Sequence, residues 1–348
     1  MKAAVLHGNC DIRYEEYPTP EVLPGTVRIR VRAAGICGSD IPRVLHHGAH
    51  SYPIVLGHEF SGVVDAVGEG VEGLCVGDTV SGAPLLPCMK CEDCQKGDFS
   101  LCRHYSFAGS RQQGAFADSI VLPAANVVPY DPSVSFVHAA MFEPATVGLH
   151  GLLKAGYCGG GTVAILGCGT IGIFTLQWAR IFGAKRIVAF DLEEERLALA
   201  KRLGADEGVN CTELSLEEAK TLYTDGKGFD WVFETAGSSV TLKHAFVLAG
   251  NGGHVCFIGT PHTDTVFSPK EWELLNRKEL HLSGSWMSYS APFPGKEWEL
   301  TAHYCATGQL CFDDGIVQRI FPMCQAKEAF DLYRTQGAVK GKIMLVND

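Results

Sequence analysis

Basic residues are in short supply. Lysine and arginine number 29 against 39 aspartates and glutamates, a formal net charge of −10. A nucleic-acid backbone is gripped by a basic surface, so no nucleic-acid partner is expected. A hydrophobic leader is also missing. Met1-Lys2-Ala3-Ala4-Val5-Leu6-His7 has no apolar core of the signal-peptide kind, and a cytoplasmic protein is expected. Nor is there an unbroken apolar span. The run from Ala155 to Ala179 carries no charge and has the length to cross a bilayer. Yet Gly159 to Gly161, then Gly167, Gly169 and Gly172, divide it into a turn, a strand and a helix start, so no membrane span is expected. Internal repeats, low-complexity linkers and long charge runs are absent as well.

What remains is an ordinary globular composition, 46% hydrophobic and 20% charged, with 40 glycines. At 348 residues the chain exceeds the size at which one core stops growing, which predicts two domains. Of the 14 cysteines, four are regularly spaced. With no export signal, metal ligation is favoured over a disulfide framework.

The first part of the chain reads as β-rich. Val27-Arg28-Ile29-Arg30-Val31-Arg32 alternates with the period of a half-buried strand. Residues 62–68, 74–80 and 114–121 supply further strands or turns into strands, as a compact barrel or sandwich requires. Two small polar clusters fall between them, Cys37-Gly38-Ser39-Asp40 and Gly57-His58-Glu59-Phe60-Ser61-Gly62. His58-Glu59 alone fits a satisfied structural pair as well as a pair of metal ligands. Ser39-Asp40 alone fits a helix cap. Glu143 follows an apolar run and precedes Pro144, and reads as a helix-start carboxylate or a metal ligand.

Cys88-x2-Cys91-x2-Cys94-x7-Cys102 lies in a segment rich in proline, glycine and charge. Four thiolates at this spacing wrap one tetrahedral zinc and fold an otherwise coreless lobe. A bacterial ferredoxin run places its fourth cysteine three residues on, before a proline. Here seven residues intervene and Arg103 follows, so structural zinc is expected.

From about residue 160 the period changes. Thr162 to Leu166 is a short apolar strand, Gly167-Cys168-Gly169-Thr170-Ile171-Gly172 follows, then a helix, then the strand Arg186 to Phe190 ending at Asp191. A strand, G-x-G-x-x-G, a helix, a strand and an acid make up the dinucleotide fingerprint, with the pyrophosphate held at the helix N-terminus. Asp191 would accept from a ribose diol and repel a 2′-phosphate, which favours NAD over NADP. Strands and helices go on alternating to Gly284, as in a doubly wound parallel sheet. A final helix is expected over about 325–336 and a last strand over 341–346, returning to the first domain. The expected division is 1–147 with 285–348, including a zinc lobe at about 84–104, and 148–284.

The order of Cys37, Gly57-His58-Glu59, four spaced cysteines, Glu143 and a nucleotide fold resembles the zinc-dependent medium-chain alcohol and polyol dehydrogenases over essentially the whole chain. The run from Gly57 through Gly62 and Gly68 to Val71 matches that family's zinc signature. The resemblance implies a GroES-like barrel domain beside a Rossmann domain and two zinc ions per chain. It implies that Cys37, His58 and Glu143 bind the catalytic zinc, with Glu59 an alternate ligand, and that Cys88, Cys91, Cys94 and Cys102 bind the structural one. Ser39 matches the hydroxyl that relays the alcohol proton, and Asp40 a carboxylate behind the ligands. Gly167, Gly169, Thr170, Ile171, Gly172, Asp191 and Arg196 fall on the cofactor-binding side, with Thr235 and Ile258 at its nicotinamide end. The stretches 42–50, 84–88 and 284–289 narrow the resemblance to members acting on a sugar-alcohol phosphate. Arg43 and His50 are candidate substrate contacts. Unphosphorylated polyols, amino alcohols and a non-catalytic nucleotide-binding role are the alternatives. A homodimer or homotetramer is implied.

Overall fold

The computed structural model describes residues 1–312 and 315–347. The chain divides into two compact units, Met1–Glu143 with Ser288–Asp348, and Pro144–Met287.

The first unit opens with a hairpin, β1 (Lys2–Gly8) and β2 (Asp11–Glu16), turned at Cys10 with φ +62°. Its main strands are β3 (Thr26–Gly35), the short β4 (Ile54–Val55), β5 (Glu59–Val67) and β6 (Thr79–Gly82). The pair β7 (Leu85–Leu86) and β8 (Ser106–Phe107) brackets the cysteine lobe, and β9 (Ser119–Pro123) and β10 (Val127–Pro129) complete this part. Helices here are short: α1 (Asp40–Leu45), α2 (Glu92–Lys96) and α3 (Phe136–Ala139). Then α4 (Phe142–Ala155) begins, with Pro144 in its first turn, where a missing N–H costs nothing.

The second unit alternates β11 (Thr162–Leu166), α5 (Thr170–Ile181), β12 (Arg186–Asp191), α6 (Glu194–Arg202), β13 (Glu207–Asn210), α7 (Leu216–Thr224), β14 (Phe229–Glu234), α8 (Ser239–Leu248), β15 (Ala249–Phe257), α9 (Pro269–Arg277) and β16 (His281–Gly284). All its strand pairs are parallel, in the order β13-β12-β11-β14-β15-β16. That is the Rossmann order, with the first strand central and the chain reversing direction across it. Ala164, Leu166, Val188, Phe190, Val232 and Val255 are buried in one core, as expected of strands covered on both faces.

The chain ends in the first unit with α10 (Lys296–Ala306), β17 (Val317–Pro322), α11 (Ala326–Asp331) and β18 (Lys342–Val346). The strand β18 runs antiparallel to β3 inside a sheet ordered β10-β6-β5-β3-β18-β17, with β9 also on β3. Ile29, Val31, Phe60 and Phe116 belong to the core of this unit. Register positions the chemistry: Gly35 lies opposite Glu59 on one side and Met344 on the other.

Two elements differ from expectation. Residues 114–117 form no strand. Gly114, Ala115 and Phe116 donate instead to the carbonyls of Val55, Gly57 and Leu56, an irregular loop rather than a ladder. The last helix stops at Asp331 and continues as a 3-10 turn over Leu332–Arg334. Asp331 accepts from Lys327 and Arg334 at 2.8 and 2.7 Å, and Gly337 with φ +75° lies beyond the turn. Among the described residues, no helix is long and apolar enough to cross a membrane.

Candidate active site and metal centres

Strand ends bring together Cys37, His58 and Glu59, whose ligand atoms all lie within 4.8 Å of one another. Cys37 stands two residues past β3. Asp40 fixes it there, its Oδ2 accepting from the Cys37 N–H at 3.1 Å while the Asp40 N–H donates to the Cys37 carbonyl at 3.0 Å. The other oxygen of Asp40 faces His58 Nδ1 at 3.5 Å, and both residues are buried. A carboxylate beside one ring nitrogen leaves the other to a metal. Lys342, at the head of β18 and buried, forms an ion pair with Glu59.

The electrostatics of this pocket call for a cation. Burial, and after it the Glu59 charge, push the Cys37 thiol up to about 12. Burial pushes the Glu143 carboxyl up to about 8, against the pull of His58. Burial likewise raises Asp40, against His58 and Arg43. Anionic donors that resist joint ionisation are the donors that a divalent ion ionises together. One thiolate, one imidazole and one carboxylate, with a position left open, are the donor set of a catalytic zinc. Glu143 is buried and within electrostatic range of His58, Glu59 and Cys37, but stands outside the mutually close group.

Ser39 precedes α1, yet its side chain makes no capping bond. Its hydroxyl donates to Cys37 Sγ at 3.4 Å and accepts from Arg43 Nη1 at 2.9 Å. Arg43 also donates to the Ser39 carbonyl at 2.6 Å. His50 lies exposed in the loop after α1, away from these bonds. Lys342 escaped the sequence reading. Its signal was a charge heading an apolar strand, Gly341-Lys342-Ile343-Met344-Leu345-Val346.

The second cluster gathers Cys88, Cys91, Cys94 and Cys102. Zinc–sulfur bonds of about 2.3 Å set tetrahedral sulfurs about 3.8 Å apart. The Cys88–Cys94 and Cys91–Cys102 sulfurs are 4.0 and 3.9 Å apart. Backbone N–H groups already point at them, Cys91 N–H to Cys88 Sγ at 3.3 Å and Cys88 N–H to Cys102 Sγ at 3.2 Å. The Cys94 N–H draws the Cys91 thiol down to about 6, while burial pushes Cys94 up to about 12. The residues fit a four-sulfur zinc.

In the second unit the glycine turn joins β11 to α5. Gly167 has φ +94°, and a Cβ there would meet Ala236 at 2.8 Å. A Cβ on Gly172 would run into the Gly167 carbonyl, so the helix packs directly on the turn. A Cβ on Gly169 would meet nothing of the chain within 4 Å, which leaves room for a phosphate at the α5 N-terminus. Thr170 and Ile171 open that helix. Asp191 ends β12, accepts from the Cys168 N–H at 2.6 Å, and has Arg196 at 3.9 Å. Thr235 donates to the carbonyls of Leu166 and Gly167 at 3.0 and 2.9 Å, and the Ile258 N–H donates to the Glu234 carbonyl at 2.8 Å. Both sit past the carboxyl ends of parallel strands, the side on which such sheets take ligands.

Comparison with known proteins agrees with this geometry. Residues 23–132 match the alcohol dehydrogenase GroES-like domain, and residues 170–302 match the zinc-binding dehydrogenase domain. The chain belongs to the zinc-dependent medium-chain alcohol and polyol dehydrogenases. It is 39% identical to the galactitol 1-phosphate 5-dehydrogenase of Escherichia coli K12 across 99% of this chain and 100% of that protein. The sorbitol dehydrogenase of Bacillus subtilis is 36% identical over 76% of this chain and 77% of its own length. The crystal structure of galactitol-1-phosphate dehydrogenase from Escherichia coli superposes with a TM-score of 0.93, at 38% identity, covering 100% of each chain.

Proposed function

We propose that this enzyme oxidises a secondary alcohol of a sugar-alcohol phosphate with NAD, converting galactitol 1-phosphate to tagatose 6-phosphate. The observation that carries the reading is the close group of half-buried Cys37 and buried His58 and Glu59, with the Ser39 hydroxyl beside it. Full-length identity to a galactitol 1-phosphate 5-dehydrogenase supports the substrate, and Asp191 supports NAD over its 2′-phosphorylated form.

Cys37, His58 and a carboxylate would hold a zinc, which would supply a Lewis acid that eases loss of the carbinol proton. Glu59 is the nearer carboxylate, and Lys342 behind it fixes its orientation as hydrogen-bonded neighbours fix metal-bound carboxylates. Ser39 takes the carbinol proton on Oγ and releases its own toward solvent. Asp40 holds Cys37 by its N–H and faces His58, so one carboxylate orders two donors. Cys88, Cys91, Cys94 and Cys102 would hold a second zinc, which would fold the lobe. The turn from Gly167 to Gly172 would seat NAD, which would supply the hydride acceptor.

The test is a substrate panel of galactitol 1-phosphate, galactitol, sorbitol and L-threonine with NAD and with NADP, with and without a chelator. The reading expects fastest turnover on galactitol 1-phosphate with NAD, lost on chelation. Equal efficiency on galactitol would remove the phosphate from the reading, and preference for L-threonine would replace the substrate class.

A further inference from the structure

We infer that Arg43 is a positioning residue for the Ser39 hydroxyl and not an anchor for the substrate's phosphate. The inference rests on the proton role of Ser39 proposed above. Arg43 lies one helical turn beyond Ser39, on α1. A single nitrogen, Nη1, donates to the Ser39 carbonyl at 2.6 Å and to Ser39 Oγ at 2.9 Å. The same nitrogen is 3.7 Å from Asp40 Oδ1, and only 25% of the Arg43 side chain is exposed. The guanidinium is therefore drawn inward, onto the residues that flank Cys37.

A hydroxyl has one proton and two lone pairs. A serine before a helix ordinarily spends its oxygen on a backbone N–H of the first turn. Ser39 does not, and Arg43 occupies that acceptor site instead. Arginine is donor-only and does not lose its proton in proteins, so it holds Oγ without competing for the proton in transit. The Ser39 proton is left to the Cys37 side, where Oγ lies 3.4 Å from Sγ. One lone pair remains for the carbinol. When the carbinol O–H breaks, its proton forms the new O–H on Ser39 and the old Ser39 proton departs to water, leaving Ser39 neutral and Arg43 unchanged. Capture of a phosphate uses the guanidinium fork, two parallel N–H groups turned to one anion. Here Nη1 spends its hydrogens on Ser39, which takes away the Nη1–Nη2 fork and leaves only the Nε–Nη2 edge.

The test is a double-mutant cycle on the zinc-loaded, full-length enzyme. Arg43→Ala, Ser39→Ala and the pair are compared using the best phosphorylated and the best unphosphorylated substrate of the panel. Arg43→Ala is expected to lower kcat about tenfold on both substrates, with KM changed less than about threefold and zinc content unchanged. In the Ser39→Ala background the further loss is expected to be under about twofold, because the group being positioned is gone. Arg43→Lys, which keeps a donor, is expected to recover most of kcat. Should Arg43→Ala lose zinc, Arg43→Gln carries the same cycle. A KM raised tenfold for the phosphorylated substrate alone, at unchanged kcat, would make Arg43 a phosphate anchor. A full additional loss in the Ser39→Ala background would overturn the inference while leaving the role of Ser39 intact. An unchanged rate for Ser39→Ala itself would overturn that role, and this inference with it.

Discussion

The two sulfur-bearing clusters of the first unit are built on opposite plans. The lobe takes all four sulfurs from one short stretch, Cys88 to Cys102, and its own backbone N–H groups point at them. The other cluster takes Cys37 from beyond β3, His58 and Glu59 from the start of β5, and Lys342 from the head of β18. Strand register, not spacing, brings these together. The donors differ accordingly. Four like thiolates close a tetrahedron and leave nothing to react with. A thiol, an imidazole and a carboxylate backed by Asp40 and Lys342 form an asymmetric set, the kind of three-donor set that leaves a metal one open position. A locally encoded site suits a staple, and a site assembled from the sheet suits chemistry that the sheet must hold rigid.

The sharpest way to break this contrast is to remove one donor from the assembled site. His58→Ala is expected to lower turnover on the order of 10³-fold or more, since the remaining donors no longer hold the Lewis acid. Zinc content should fall from two per chain to one, and NAD binding by fluorescence titration should be unchanged, because the fingerprint lies in the other unit. A variant with near-normal rates would show that His58 is not a ligand.

Lys342→Met sharpens the contrast from behind Glu59. The Lys342 and Glu59 side chains are only 6% and 2% exposed. In the metal-free protein, removing one partner leaves a buried charge unpaired, and such changes cost about 3–5 kcal/mol. Adding Glu59→Gln should restore most of that stability in denaturant unfolding, but not the activity. If the single variant unfolds like the parent, Lys342 is not compensating Glu59.

The two plans also explain what was legible in the chain. The four cysteines announced themselves, because a tetrahedral ion constrains spacing directly. The glycine turn did too, since Gly167 and Gly172 each answer to a backbone that cannot accept a Cβ. The parallel sheet followed from the alternation of strand and helix. Lys342 was hidden because its partner is set by register across β18, β3 and β5, which no local pattern reports. Residues 114–117 read as a strand by composition, but Gly114, Ala115 and Phe116 donate to residues 55–57 and Ala117 pairs with Ala3 only as an isolated bridge, a tertiary choice. Helices α7 and α9 were legible in principle. Ser215 with Glu218 and Ser268 with Glu271 form capping boxes, a signature with its own spacing. That the Ser39 hydroxyl does not cap α1 is a matter of side-chain geometry that spacing does not report.

The smallest expected effect lies beside the lobe. Arg103 pairs with Asp93 at 3.3 Å, an ion pair that resembles Lys342 with Glu59 on paper. Its setting differs. The Arg103 side chain is 72% exposed, so water already solvates the guanidinium and salt screens the pair. Exposed pairs of this kind contribute about 0–1 kcal/mol. The lobe's order comes instead from the four sulfurs and the N–H groups aimed at them, none of which Arg103 supplies by its side chain. Arg103→Ala is therefore expected to shift the melting temperature by less than about 3 °C, taking roughly 2–4 °C per kcal/mol for domains of this size, with zinc at two per chain and kcat unchanged. A loss of lobe zinc in this variant would mean that the lobe, like the assembled site, depends on a charge partner beyond its ligands, and the contrast between the two plans would fail.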